Sequence, residues 1–179
     1  ILNFFASVAM IWGQDNPSLL QMAVPSLNIA PDARGGGMGD MGAATLPDIN
    51  SQYWNAAKYA FMGSKAGVSL SYTPWLRKLV NDVALVNMTG YYKLGNSDLQ
   101  AISASLRYFS LGEVNIWENI GDVPYGLNPY EMAFDVAYSR KLSESYSMAV
   151  TLRYIRSDMG TDQNDESNAG NAFSADISG

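Results

Sequence analysis

From Lys65 onward the sequence repeats one pattern, short segments in which apolar and small polar residues alternate, each closed by a turn. In Lys65 to Thr73, Ala66, Val68, Leu70 and Tyr72 share one parity, and Gly67, Ser69, Ser71 and Thr73 share the other. Successive side chains of a strand point to opposite faces, so this alternation specifies a sheet with one apolar and one polar face. Asp82 to Tyr92 sets Ala84, Val86, Met88 and Tyr92 against Val83, Leu85, Asn87 and Thr89. Leu99 to Phe109 sets Ile102, Ala104, Leu106 and Tyr108 against Ser103, Ser105 and Arg107. Glu131 to Ser139 sets Met132, Phe134, Val136 and Tyr138 against Ala133, Asp135 and Ser139. Tyr146 to Arg156 sets Tyr146, Met148, Val150, Leu152 and Tyr154 against Ser147, Thr151 and Arg153. A sixth segment begins at Ala172, with Phe173, Ala175 and Ile177 opposite Ser174 and Asp176.

A soluble β-sandwich, such as a secreted adhesin, also alternates, so parity alone does not place a sheet in lipid. Three further features favour lipid. Each complete segment has about 9 to 11 residues, the length a tilted strand needs to cross the hydrocarbon layer. The apolar faces end in aromatics (Tyr72 and Trp75, Tyr92, Tyr108, Tyr138, Tyr146, Tyr154), as in the interfacial girdle of an outer-membrane barrel. Long connections, at 74–81, 110–130 and 157–171, alternate with short ones at 93–97 and 140–145, which puts the long ones on one rim. The expected fold class is therefore all-β, a transmembrane antiparallel β-barrel. Such a barrel must close, because lipid offers no partners to an open edge, and bacterial single-chain barrels need at least about 8 strands. The six segments thus predict the N-terminal part of a larger barrel. Arginine at Leu70 or Leu106 is expected to be costly there, and arginine at Ser69 or Ser105 mild.

Composition removes several function classes. The net charge of -6 opposes a nucleic-acid partner, which selects a basic stripe. There is no Cys and no His, so thiol chemistry, Cys/His zinc sites and imidazole acid/base catalysis have no residues to use, and no enzyme is expected. Charged residues make up 16% of the chain, against about 25% in soluble domains, which suits a chain facing something less polar than water.

Ahead of the strands, Ile1 to Trp12 is apolar yet shorter than the roughly 20 residues of a spanning helix, and reads as the hydrophobic region of a secretory signal cleaved before Gln14. The expected organisation is a partial signal peptide at 1–13, a periplasmic or plug-like segment at 14–64, and the first part of a barrel at 65–179. Within the middle segment, five of the eight residues from Gly35 to Gly42 are Gly. Such a run persists in folded chains where backbone turns tightly or approaches something closely. Gly37 to Gly42 matches G-x-G-x-x-G, but lacks the preceding strand, the following helix and the later acidic residue of a dinucleotide site, so no cofactor is expected.

The run Ile29-Ala30-Pro31-Asp32-Ala33-Arg34-Gly35-Gly36-Gly37-Met38-Gly39-Asp40 closely resembles the start of the PorV proteins, outer-membrane barrels of the type IX secretion system. Pro47-Asp48-Ile49-Asn50-Ser51-Gln52-Tyr53-Trp54-Asn55, Ala57 to Phe61, Tyr72 to Leu76 and Arg107 to Gly112 extend the resemblance. Asn55-Ala56-Ala57 departs from the usual Asn-Pro-Ala by one lost proline. More distantly, the Gly-rich turn, the Ala-rich run and the Asp-to-aromatic-Asn spacing resemble the hatch of FadL-type fatty-acid channels. The resemblance implies a FadL-type barrel of about fourteen strands in the outer membrane, plugged by the Gly-rich segment. It implies partners too: a large translocon barrel, the C-terminal signal domains of cargo, and a surface sortase or attachment complex. Its function would be to take cargo at the translocon and shuttle it to that complex. A FadL-like transporter of hydrophobic small molecules is the rival.

Arg107, Asp135 and Arg153 project to the polar face, which is the lumen of a barrel, where charges pair across the wall or onto a plug; Asp32, Arg34, Asp40 and Asp48 of the plug-like segment are the partners in the second case. Asp158, Asp162, Asp165 and Glu166 miss the EF-hand spacing and read as a solvated loop rather than a metal site. The loop Ser110 to Tyr130 is unusually apolar, and Trp117, Ile120, Val123, Tyr125 and Tyr130 are its candidate partner-binding residues.

Overall fold

A computed structural model describes residues 24–75, 82–95, 99–116, 125–159 and 169–179; the expected signal segment at 1–13 lies outside them. The strands are β1 (Ala66–Pro74), β2 (Val83–Leu94), β3 (Gln100–Leu111), β4 (Val114–Ile116), β5 (Tyr125–Leu127), β6 (Tyr130–Lys141), β7 (Ser147–Asp158) and β8 (Gly170–Ser178). Six of them form one antiparallel sheet in the order β1-β2-β3-β6-β7-β8, while β4 and β5 pair separately inside the long connection. The sheet does not close. Its edges are β1 and β8, as in part of the wall of an all-β barrel.

All six segments read from parity are strands, and β2, β3, β6 and β7 run longer than the alternation, to 12 residues each. The ladder continues through Lys93, Leu111 and Lys141 because backbone pairing asks nothing of the side chain. The hairpin of β4 and β5 was not anticipated, since strands of three residues carry too few positions for a period to show.

Register aligns the two faces across the sheet. Val68, Gly90, Ala104, Val136, Leu152 and Ala175 form one row, and Leu70, Met88, Leu106, Phe134, Tyr154 and Phe173 the next. These apolar rows are the exposed face: Leu70 is 71% exposed, Leu152 62% and Met88 50%. The opposite face is polar and buried, with Asn87, Thr89, Ser103, Arg107, Glu131, Asp135, Ser139 and Thr151 all covered. A contiguous apolar surface across six strands is far beyond what a water-soluble monomer exposes. No helix among the described residues is long and apolar enough to cross a membrane, which has no bearing on crossing by strands.

The polar face is covered by the segment ahead of β1. It carries a 3-10 turn (Pro25–Asn28), α1 (Ala33–Gly37), α2 (Ser51–Trp54) and a 3-10 helix (Ala56–Phe61). Ala101, Ala137 and Ala149 are the inward residues near the short-turn rim, and their small side chains leave room for the 3-10 helix, whose Ala56, Ala57 and Tyr59 pack on them.

Candidate functional site

The segment that covers the polar face, called the plug below, is gripped at one residue, Ser26. Arg107 projects from the polar side of β3 and donates from one terminal nitrogen to the carbonyls of Ser26 (2.9 Å) and Ile29 (3.1 Å). Its guanidinium lies 4.5 Å from the centre of the Tyr53 ring, and the Tyr53 hydroxyl donates to Leu27 O at 2.9 Å. From the other side the Ser26 amide donates to Glu131 Oε2 at 3.1 Å. Both backbone polar groups of Ser26 are thus taken by charged wall residues, and hydrogen bonds of that kind exceed neutral ones. Glu131 is 1% exposed, and its Oε1 has no hydrogen-bond partner among the described residues.

After the clamp the chain turns tightly. Asp32 caps α1 by accepting the Gly35 amide at Oδ2 (3.0 Å), and Gly39 (φ 75°) and Asp40 (φ 58°) reverse direction in the left-handed region. Gly42 answers a different need: a Cβ there would sit 2.3 Å from the Trp54 ring, so only glycine lets the loop close over that indole. The G-x-G-x-x-G letters therefore serve a turn and a close approach within the plug.

The lower plug is held by its own contacts and by the wall. Lys58 Nζ donates to Gly42 O (2.7 Å) and Thr45 Oγ1 (3.2 Å). The Tyr59 hydroxyl donates to Ile49 O (2.8 Å) and accepts the Gln52 amide (2.9 Å), while its ring stacks on Tyr91 at 5.0 Å. Burial lowers the Lys58 pKa, an effect partly opposed by the nearby Asp48 carboxylate and reinforced by Arg34. Burial raises the Tyr59 pKa. Three wall serines bind the plug through their hydroxyls: Ser71 donates to Pro31 O, Ser103 to Gln52 Oε1, and Ser147 to Ala57 O at 2.8 Å.

Of the two courses expected for these charges, pairing across the wall and pairing onto plug carboxylates, the structure shows the first. In the wall, Arg153 Nε meets Asp135 Oδ1 at 2.7 Å across directly paired positions, with Asp176 at 3.7 Å and the Ser105 hydroxyl on Asp135 at 3.2 Å. In the plug, Arg34 pairs with Asp48 at 3.1 Å, Asp32 is a cap, and Asp40 is an exposed turn residue. The plug meets Arg107 with carbonyls, not carboxylates. Carbonyls satisfy a buried guanidinium without the desolvation of a second full charge. Glu131, Ser26, Gln52 and Ser147 were missed as anchors; Glu131 and Ser147 carried a signal, as polar residues on the inward parity of their strands.

Of the loop candidates, Trp117, Ile120 and Val123 lie outside the described residues, and Tyr125 opens β5. Tyr130 stacks on Tyr108 at 5.6 Å and so joins the aromatic row at the start of β6. Asp158 ends β7, while Asp162, Asp165 and Glu166 lie outside the described residues. Among the described residues, no three acidic groups gather as a metal site would require. Between the upper plug and the end of β1 lies a cavity of about 460 Å³, lined by Asn28, Asp32, Gly36, Asp40, Thr73 and Trp75.

This arrangement binds and positions chain. No curated protein matches the sequence. The family model described as Type IX secretion system protein PorV matches residues 13–179. On that match over nearly the whole sequence, together with an open all-β wall that is apolar outside and polar within, the chain belongs to the PorV family and is a type IX secretion system component of the cell envelope.

Proposed function

We propose that the chain lies in the outer membrane with its long connections outside and its short turns in the periplasm. There it takes the C-terminal signal domain of secreted cargo from the large translocon barrel and passes it to the surface sortase or attachment complex. It acts by binding, without covalent chemistry. Residues 14–64 are its plug and 65–179 its wall. The observation that carries this reading is the polar face and its plug, bound at Ser26, Pro31, Gln52 and Ala57 along the height of the wall. A channel for hydrophobic molecules needs a continuous apolar pocket beside its hatch, whereas this face presents Ser, Thr, Asn, Arg and Asp. With the interior committed to the plug, exchange of partners falls to the long connections and to the cavity beside Trp75.

Two measurements on the full-length protein test this. Reconstituted in vesicles, it should give no saturable fatty-acid uptake; robust uptake would establish the transporter instead. Trp117→Ala should reduce co-purification of cargo and translocon while leaving the barrel's heat resistance on gels unchanged. Lower heat resistance with intact co-purification would make the loop structural and remove it from the interface.

A further inference from the structure

The exposed apolar face is not uniform. In the row of Val68 and Val136, two adjacent strands present Gly90 and Ala104 in direct register, while the rows on either side carry larger side chains. The result is a groove of about 490 Å³ with Gly90 and Ala104 as its floor, Met88 and Leu106 on one side, and Tyr92 and Ile102 on the other. Its size falls within the roughly 300–1,000 Å³ of small-molecule sites. At the short-turn rim the same outward parity of β6 passes from Val136 through Tyr138 to Arg140, which is exposed and pairs in register with Gln100. Among the described residues no carboxylate pairs with Arg140. Arg140 lies four residues along β6 from Val136, the partner of Ala104, which is about 13 Å at strand rise.

We propose that this is a binding site for one phosphate-bearing lipid, with the phosphate on Arg140 and one acyl chain in the Gly90–Ala104 groove. The proposal rests on the outer-membrane reading above. Charge selects this occupant over another. The Arg140 guanidinium lies one row beyond the Tyr92–Ile102 side of the groove, beside Tyr138 and with Gln100 as its register partner, so an anionic head at the rim can join a hydrocarbon tail that passes Tyr138 into the groove. A bare apolar side chain of a partner protein would leave the Arg140 cation unanswered. Arginine also holds phosphate through two parallel hydrogen bonds, which a passing lipid with an uncharged head could not accept. The rim is the right one, because the short turns face the periplasm in that reading and the adjoining leaflet is phospholipid.

The test is native mass spectrometry of full-length protein in detergent micelles, titrated with phosphatidylglycerol and, separately, with diacylglycerol. The wild type should keep one phosphatidylglycerol after other lipids are stripped, and hold diacylglycerol at least about tenfold more weakly. Ala104→Phe, which fills the floor, and Arg140→Gln, which removes the cation, should each lower retention about tenfold. Ala175→Phe, in the same row but remote from the groove, should change nothing. If Ala104→Phe fails to fold, Gly90→Leu replaces it, since a Cβ at Gly90 meets only Gly67 O at 3.6 Å and Val68 Cγ2 at 3.7 Å. Equal retention by all variants overturns the site. So does loss of a co-purifying membrane protein with lipid retention intact, which would make the groove a protein contact. Flotation of each protein with phosphatidylglycerol vesicles separates the two readings: insertion without a retained lipid refutes the site alone, whereas failure to insert refutes the membrane reading beneath it.

Discussion

Leu106 and Arg107 are neighbours on β3, and their burial is the reverse of their polarity: the leucine is 42% exposed and the arginine 5%. The same inversion holds across Leu70 and Ser71, Met88 and Thr89, and Phe134 and Asp135. In water such a sheet would turn over, since each buried aliphatic side chain is worth about 1.5–3 kcal/mol and a buried charge costs several unless it is paired. The inversion persists here because the central charges of the polar face are answered: Arg107 by plug carbonyls and a tyrosine ring, Asp135 and Arg153 by each other, and Glu131 through one oxygen by the Ser26 amide. The two faces therefore depend on different partners. The exposed face depends on its medium, and the buried one on the plug.

The largest expected effect tests the medium. Leu106→Arg places a charge in the outward apolar band and should cost about 2–4 kcal/mol in urea unfolding of the full-length protein in vesicles. Ser69→Arg, on the inward parity of β1 where the plug covers less, should cost under about 1 kcal/mol. Equal costs would mean that the two faces see the same solvent. The mild outcome anticipated from sequence at Ser105 no longer holds. That residue is 7% exposed with its hydroxyl on Asp135, so an arginine there has neither space nor a free partner.

A smaller effect tests the plug. Arg107→Met strips the carbonyls of Ser26 and Ile29 of their donor, and hydrogen bonds to a charged group are worth about 1.5–3 kcal/mol. The expected result is faster protease cleavage ahead of α1, with the strand ladder, read by heat resistance on gels, unchanged. If the ladder softens as well, plug and wall form one cooperative unit and the separation of the two faces fails.

How much of this was legible depended on what carried each contact. Parity located all six strands and the sign of both faces, because a period of two repeated over ten positions leaves little freedom. The plug's anchorage was not legible. Arg107 could be placed on the polar face, but its partners are carbonyls, which every residue owns and no sequence marks. Plug carboxylates drew attention because charge is visible in a sequence, and they serve a cap, a turn and an internal ion pair. The glycines were legible in kind only: Gly42 is required by Trp54, twelve positions away and brought near only by the fold.

The smallest effect is a pH dependence confined to the lower plug, where Lys58 and Tyr59 act in opposite directions. Burial sets the Lys58 pKa below 10.5, so between that lowered value and pH 10.5 the undocked segment holds more protons than the docked one. Docking must therefore strengthen as pH rises through that window. Burial sets the Tyr59 pKa above 10.0, so beyond pH 10 the docked form holds the extra proton and docking weakens as pH rises. The ionised ring would also lose its donor bond to Ile49 O. Protection of the 42–62 amides from hydrogen exchange, corrected for intrinsic rate, should rise gently toward pH 10 and then fall. Tyr59→Phe should remove the fall, and Lys58→Met the rise, with protection of β3 and β6 flat throughout. A fall that survives Tyr59→Phe would overturn the assignment of the alkaline sensitivity to Tyr59, and with it the pH contrast between plug and wall.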